Sequence, residues 1–595
     1  MRFNPLIPLL SLAVAGTGVS AEELDPVVVT PARTAQTANE ANASVSVFTR
    51  EDIEQSAAQT LDELLQGVPG VSVTGTGGLG KQTGLFLRGT ESNHTLVMID
   101  GVRMNTGASG AALIQHIPLS QVERVEVVRG PRSSLYGSDA LGGVVHVFTR
   151  QPEGEFQAET SATVGGDATA ELTQFLGGQN EGTRWDMTLS NFNTDGFDAR
   201  VTPEPDDDGY HNQSISTGVE QQVNGRLSVG GRFYRAQGDV DFDPDFAGGA
   251  NNSDFVEQTI QGNADYLATD TLNLSLDASQ FMDRSTRYVD TQQQGPATVT
   301  KRNEVSLVGD QALGDSQMAT LGLTYSEESF EGGGIDKDRY NHGVFGQLMG
   351  DIQRFNYQAS LRYDNNEQFG EAVTGNLVLG YRLHPHANFF TSYGTAFVTP
   401  TFNDLYYPGF SNPNLEPEEG KTVEVGMKGK GGRWRYSLTS FYSEVDELIA
   451  FAGSQPFNVN ETHLYGGELT VGVSALQWWF EVAAGYTRAI NDQTEQQLIR
   501  RPKWTGRLTA LRDFGDVTFR TDLRGQSESW DTDFSTFTRE TLPGFLVADF
   551  SAIWNLRPEL TLEGKLKNAF DQEATTVLNY NTQGRQLLAT LRYSY

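Results

Sequence analysis

The sequence predicts an all-β transmembrane barrel of about 22 antiparallel strands, preceded by a compact α/β domain. Three observations carry this. From about residue 155 onward, segments alternate apolar and polar residues with a period of two: Phe156, Ala158, Thr160, Ala162 and Val164, then Leu272, Leu274, Leu276 and Ala278, then Phe355, Tyr357, Ala359, Leu361 and Tyr363. Short turns between them alternate with long loops rich in Asp, Asn and Gly. A membrane barrel needs this pattern, because all of its backbone polar groups must pair within the sheet. The third observation is length. A soluble β-sandwich also alternates, but it does not easily use residues 151 to 595 without a domain break. At roughly 20 residues per strand and connection, that stretch accommodates about 22 strands.

Composition agrees. The mean hydropathy of −0.40 and the lack of long apolar runs past the N-terminus exclude membrane helices there but leave barrel strands open. The 64 Gly and 10% aromatic residues suit tight turns and interfacial girdles. A formal charge of −33 argues against nucleic acid as partner. With no Cys, disulfides and thiolate metal sites are excluded.

Residues 1–21 read as a signal peptide: Arg2 supplies the positive start, Leu6 to Val14 the apolar core, and Val19-Ser20-Ala21 a small-residue cleavage site. Residues 22–40 are polar and Pro-punctuated around one apolar triplet, and are expected to form a flexible arm. Residues 41–150 form the α/β domain. Thr60 and Glu63 have capping-box spacing ahead of Leu61, Leu64, Leu65 and Val68 on one helical face. Strands are expected at Leu85-Phe86-Leu87, Thr95 to Ile99, Val122 to Val128 and Val144 to Phe148, mostly apolar throughout and so buried on both faces. At the C-terminus, Leu587, Ala589, Leu591, Tyr593 and Tyr595 share one face, as in a closing strand facing lipid.

Several segments together resemble the TonB-dependent receptors. They are LDELLQGVPGVSV, LFLRGTESNHTLVMIDGVRMN, VERVEVVRGPRSSLYGSDALGGVVHVFTR, NPNLEPEEGKTVEVG and KNAFDQEATTVLNYNTQGRQLLATLRYSY. From about residue 25 to Tyr595 the chain resembles the cobalamin (vitamin B12) transporter branch of that family. The resemblance implies a plug domain (41–150) inside a barrel (151–595) in the cell outer membrane. It also implies active import energised by TonB and its inner-membrane complex, with lipid bilayer and lipopolysaccharide around a monomer. Asp25, Pro26, Val27, Val28, Val29 and Thr30 then look like the TonB box. An extended apolar triplet of this kind can add as a strand to a partner's sheet edge; the other reading is a first strand of the plug.

Gly75-Thr76-Gly77-Gly78-Leu79-Gly80 matches the dinucleotide fingerprint, but Lys81 to Gly84 leads into another strand, where a nucleotide site needs a helix. A Gly-rich hairpin tip is expected instead. The acidic run Asp198, Glu204, Asp206 and Asp208, with Asp243 and Asp254 in the next long loop, supplies hard oxygen donors suited to calcium. An EF-hand fails, because Ile215 stands where its closing Glu belongs. Taken alone, the acidic run reads sooner as a solvated surface, or as carboxylates sharing divalent ions with lipopolysaccharide, than as a calcium site. The family resemblance implies calcium ordering two extracellular loops; the family has Gln at Glu204 and Tyr at Phe242. It likewise implies a cobalamin pocket at Gln82, Gly84, Glu91, Ala108 and Ser109 of the plug and at Thr298, Arg500 and Phe534 of the barrel. Ser109, Thr298 and Arg500 keep the family's residue types, whereas Gly84 replaces Ser, Glu91 replaces Asn and Phe534 replaces Tyr. The alternative ligand is another chelate, a ferric siderophore or haem. The eight His are scattered without HExxH or nucleophile-elbow context, so no enzyme is expected.

Overall fold

The structure, a computed structural model, describes residues 26–595 apart from 34–35, 39, 202–205, 244–250, 290, 453–454 and 534. The signal peptide, Asp25, Glu204 and Phe534 therefore lie outside the described residues.

Alternation becomes a closed antiparallel barrel of 22 long strands, from Gln157–Gly165 to Gln586–Ser594. The ring is sealed where the first strand pairs with the last, in register from Glu159↔Ser594 to Gly165↔Leu588. Strands of up to 21 residues exceed the roughly 9–11 that a bilayer requires, so the barrel wall projects well beyond the membrane. Outward positions carry exposed apolar side chains, among them Leu321, Leu361, Val373 and Leu546. Exposed aromatics sit near the short-turn end, at Phe355, Phe389, Trp434, Phe514, Trp554 and Tyr593. A second set (Tyr325, Tyr340, Tyr363, Tyr442) stands farther along the strands. Such girdles mark the two membrane interfaces. On the closing strand Leu587, Leu591 and Tyr593 are exposed and Leu588 is buried, as the alternation predicts.

The α/β domain is the plug. Its five-stranded sheet runs in the order Ser44–Phe48, Val122–Arg129, Gly143–Thr149, Thr95–Ile99, Val102–Arg103; only the Thr95–Ile99 and Gly143–Thr149 pair is parallel. Val97, Ile99, Val125, Val127, Val145 and Val147 bury its faces. Helix Leu61–Leu65 forms where expected, but its N-cap Thr60 makes no side-chain cap bond; Glu63 instead accepts from the Gln59 amide at 2.9 Å. Arg50–Gln55 adds a helix unforeseen in the sequence, opened by a reciprocal Thr49–Asp52 capping box.

Charge holds plug and barrel together. Arg88 of the plug pairs with Glu424 (2.9 Å) and Glu468 (2.7 Å) of the barrel, and Arg129 reaches Glu468 at 3.1 Å. All four side chains are buried, and Ser44 donates to Glu468 as well. Lys567–Glu63 (2.7 Å), Arg592–Glu54 and Arg103–Glu304 (3.3 Å) add further attachments. Removing one partner of a buried pair leaves an uncompensated charge and typically costs about 3–5 kcal/mol. Glu468→Gln is therefore expected to speed hydrogen exchange in strand Ser44–Phe48 while the barrel keeps its heat-modifiable gel migration. Unchanged exchange in that strand would contradict the clamp.

Candidate ligand, metal and coupling sites

The Gly-rich segment is a hairpin tip. Strands Val71–Gly75 and Thr83–Leu87 pair directly, and the connection rises from them with Gly77 and Gly80 at positive φ. A Cβ on Gly80 would collide with the Tyr210 ring, and one on Gly77 with Ala199, so glycine lets the tip lie against the barrel wall. Gln82 is exposed on this tip and Gly84 half-buried below it. Beside it, the Ser92 hydroxyl accepts from the Leu85 amide at 3.1 Å, and Gly110 packs on Asn93. Gln82, Glu91, Ala108 and Ser109 thus come from one cluster of plug loops. Ser109 is exposed, whereas Ala108 is partly covered by helix Phe402–Tyr406, whose Asn403 amide donates to the Ala108 carbonyl at 3.3 Å.

Two polar candidates are already engaged. Glu91 forms an ion pair with Arg501 at 2.5 Å, and Arg501 also donates to the carbonyls of Thr90 (3.2 Å) and Gly89 (3.4 Å) over the Phe86 ring. Arg501, unlike Arg500, is the guanidinium that reaches the plug; adjacent Arg residues cannot be ranked from sequence. Arg500 turns to buried Asp531, its Nε donating at 2.9 Å. Thr298 opens strand Thr298–Ala312, half-buried, and donates to the Ser285 carbonyl at 3.4 Å. Sequence reasoning also missed His94, fully buried, with Nε2 at 2.6 Å from Glu418. Burial disfavours its charged form, but the Glu418 and Glu91 carboxylates outweigh this and hold the imidazole above its ordinary pKa.

Of the proposed calcium ligands, Asp198, Asp208 and Asp243 converge, with one carboxylate oxygen of each within 4.8 Å of the others. Gly196 at φ 70° lets the chain turn back on Asp208, whose Oδ2 accepts from the Ala199 amide at 2.8 Å. Asp206 is exposed nearby in sequence. Phe242 lies under the Arg287 guanidinium and donates its amide to the Asn251 carbonyl at 3.0 Å. Asp254 does not join them. Strand alternation turns it outward, exposed and bonded to Tyr288, while its neighbour Phe255 faces in. Lys81 comes up from the plug tip and donates to the Asp208 carbonyl at 2.8 Å. Burial pulls its pKa down to about 8 despite the Asp208, Asp241 and Asp243 carboxylates around it.

Glu444, Glu461 and His463 form a second acid–imidazole group, with Asp492 at 2.6 Å from His463 Nδ1. The sequence signal was the alternation Glu461-x-His463, which puts both on one strand face.

The N-terminal segment is docked in this structure where a free arm was expected. Val27–Val28 pairs antiparallel with Gln36–Thr37, and Val28 and Thr30 are fully buried. Glu126 of plug strand Val122–Arg129 accepts from the Val29 amide (3.1 Å), the Thr30 amide (3.0 Å) and the Thr30 hydroxyl (2.6 Å). Tyr136 donates to the Thr30 carbonyl at 3.1 Å, and barrel Gln347 to that of Ala32 at 2.9 Å. A carboxylate satisfies the segment's amides where a strand partner would otherwise do so.

A family model described as "TonB-dependent Receptor Plug Domain" matches residues 37–144, and one described as "TonB dependent receptor-like, beta-barrel" matches 155–569. The chain is 31% identical to the vitamin B12 transporter BtuB of Photobacterium profundum over 96% of each chain, and 29% identical to that of Vibrio vulnificus over 99% of each. Among solved structures it resembles a ferric enterobactin receptor from Pseudomonas aeruginosa (17% identity, TM-score 0.80, 93% of this chain and 99% of that one). It also resembles the siderophore receptor PirA from Acinetobacter baumannii (16%, TM-score 0.80, 93% and 98%). At these identities the solved structures speak to fold alone.

The docking contacts make a direct prediction. Replacing Glu126 with Ala strips three acceptor contacts from Val29 and Thr30, and a lost hydrogen bond to a charged group is worth about 1.5–3 kcal/mol. Tryptic cleavage at Arg33 is expected to accelerate at least about tenfold. An unaltered cleavage rate would show that the segment is held elsewhere.

Proposed function

The chain belongs to the TonB-dependent receptor family of the outer membrane, and from that premise we propose that it imports vitamin B12 or a close corrinoid. The observation that carries the reading is the full-length match to two proteins named as vitamin B12 transporters, spanning plug and barrel alike. The plug apex supports it. Cobalamin presents amides and one phosphodiester, so it suits neutral hydrogen-bonding groups such as Gln82, Ser109 and Thr298, with few cations. Arg500 offers a planar fork to amide or phosphate oxygens. The Glu91–Arg501 pair leaves little net charge where the family has a neutral Asn, so the departure at Glu91 is compensated by its neighbour. Phe534 and Glu204 complete the proposed sets from outside the described residues.

Calcium fits the converged loop carboxylates. Asp198, Asp208 and Asp243 offer only hard oxygen donors, close enough to share one ion, and Asp206 and Glu204 lie between Asp198 and Asp208 in sequence. Bound calcium would cancel their mutual repulsion and so fix the two loops over the pocket. Asp254 has no part in this set unless its strand face changes.

Asp25 to Thr30 is the proposed TonB contact. Its docking by Glu126 supports a segment stored on the plug and released when the partner competes for its backbone, with TonB pairing as a strand.

Two experiments test this reading. Equilibrium binding to the purified receptor is expected to saturate with cyanocobalamin in the presence of calcium. It should weaken at least about tenfold, the equivalent of roughly 1.4 kcal/mol, in Asp206→Ala plus Asp243→Ala. Saturable binding of haem or a ferric siderophore, with none of cyanocobalamin, would overturn the ligand. Deleting residues 25 to 30 is expected to leave binding intact and abolish uptake. Equal loss of both would make the segment structural.

A further inference from the structure

The inner barrel wall pairs nearly every buried carboxylate with a guanidinium: Asp186 with Arg232 (2.9 Å), Asp364 with Arg362 (2.8 Å), Asp522 with Arg520 (2.7 Å). Among the described residues, one row of facing side chains holds two carboxylates with no cationic partner. Glu257, on strand Asn251–Thr269, stands directly across from Asp283 on strand Leu272–Val289. Asp283 in turn stands directly across from Thr300 on strand Thr298–Ala312. All three face inward, with relative exposures of 1%, 7% and 1%. Both carboxylate oxygens of Glu257, one of Asp283 and the hydroxyl of Thr300 have no hydrogen-bond partner. Among the described residues no Lys or Arg forms an ion pair with either carboxylate.

The next residues in this cross-strand row are Ala236 on one side and Phe330 on the other, neither of which supplies a side-chain donor. The inward neighbours along the strands include apolar Phe255 and Phe281 and polar Thr259; Arg302, two residues beyond Thr300, pairs with Glu328 and Asp139 instead. Side chains directly opposite on adjacent antiparallel strands have Cβ atoms about 4.5–5.5 Å apart, so the two carboxylates repel across a short, poorly screened gap. A buried polar group without a partner calls for an ion or water to complete it.

We propose that Glu257, Asp283 and Thr300 form an internal site for a hard divalent cation of the calcium type. Two carboxylates cancel two positive charges, so the filled site leaves no net charge in the buried wall. The donors are oxygen only, which selects calcium, magnesium or manganese over softer metals. Water completes the coordination shell. The ion stitches three adjacent strands together. One of them, Leu272–Val289, touches plug strand Val102–Arg103, and Thr300 lies two residues along the same face from the pocket residue Thr298. The site shares no residue with the loop carboxylates Asp198, Asp208 and Asp243, and does not depend on the identity of the imported ligand.

The test counts calcium. Purified receptor, stripped with chelator and dialysed against calcium, is compared with Glu257→Gln plus Asp283→Asn and with Asp206→Ala plus Asp243→Ala. The interior variant is expected to bind one ion fewer than the parent, and combining it with the loop variant should remove one more ion than the loop variant alone. Thr300→Val keeps both charges and the side-chain shape, so it guards against misfolding of the amide variant. It is expected to weaken the interior ion by about tenfold or more. Equal calcium counts in parent and interior variant, or unchanged affinity in Thr300→Val, would overturn the site. A melting temperature that rises on acidification and ignores calcium would overturn it too, by assigning the pair a shared proton.

Discussion

Everything in this molecule depends on closing the sheet. Lipid offers no partner for a backbone amide or carbonyl, so the strand that begins the barrel must find the strand that ends it. Here it does so over residues 159–165 and 588–594. Closing 22 strands creates a lumen far too wide for wall side chains to fill. The plug is the filling: its sheet and hairpin tip lie against the wall, and its docked N-terminal segment is held by plug Glu126 and Tyr136 and by wall Gln347.

The lumen is polar, and this sets the kind of attachment available. Alongside apolar clusters that also cross the boundary, plug and wall are joined by buried ion pairs and hydrogen bonds, as in the group formed by Arg88, Arg129, Glu424 and Glu468. Such contacts are directional and can be exchanged for water one at a time, which suits a filling that must yield during transport. Their placement also connects the two ends of the plug. Arg88 follows directly on the strand that descends from the hairpin tip. Arg129 ends the strand on which Glu126, three residues earlier, holds the N-terminal segment. Hairpin tip and docked N-terminal segment are therefore linked through the clamp: Arg88 from the strand below the tip and Arg129 from the strand that holds the segment both meet Glu468. Elsewhere on the plug–wall boundary, Arg103 and Asp139 of the plug and Arg302 and Glu328 of the wall line a charged cavity of about 60 Å³, space from which a passage can widen.

Period-two alternation made the wall legible in the sequence, down to which face of Leu587–Tyr595 meets lipid. Apolar runs did the same for the plug strands at Thr95–Ile99 and Val122–Val128. The Gly-rich tip was readable because only glycine tolerates its positive φ against a wall. Long-range pairing was not readable. Nothing local marks Glu468 as the partner of Arg88, 380 positions away, and nothing distinguishes Arg501 from Arg500. Asp254 shows the limit within a loop: composition counted it with the acidic set, whereas one step of strand register turned it outward. The docked Val27–Val28 segment was hidden for a related reason, since its anchor Glu126 sits in a run that reads as strand core.

The account rests on the closed seam, and the seam can be measured directly because the natural chain contains no Cys. Thr163 and Thr590 face each other across it, their hydroxyls 2.7 Å apart. Receptor carrying Thr163→Cys and Thr590→Cys, oxidised in native outer membranes, should form an intramolecular disulfide that shifts its gel mobility, and each single variant should not. Free thiols that persist in the folded double variant, or that link only between molecules, would contradict a closed barrel.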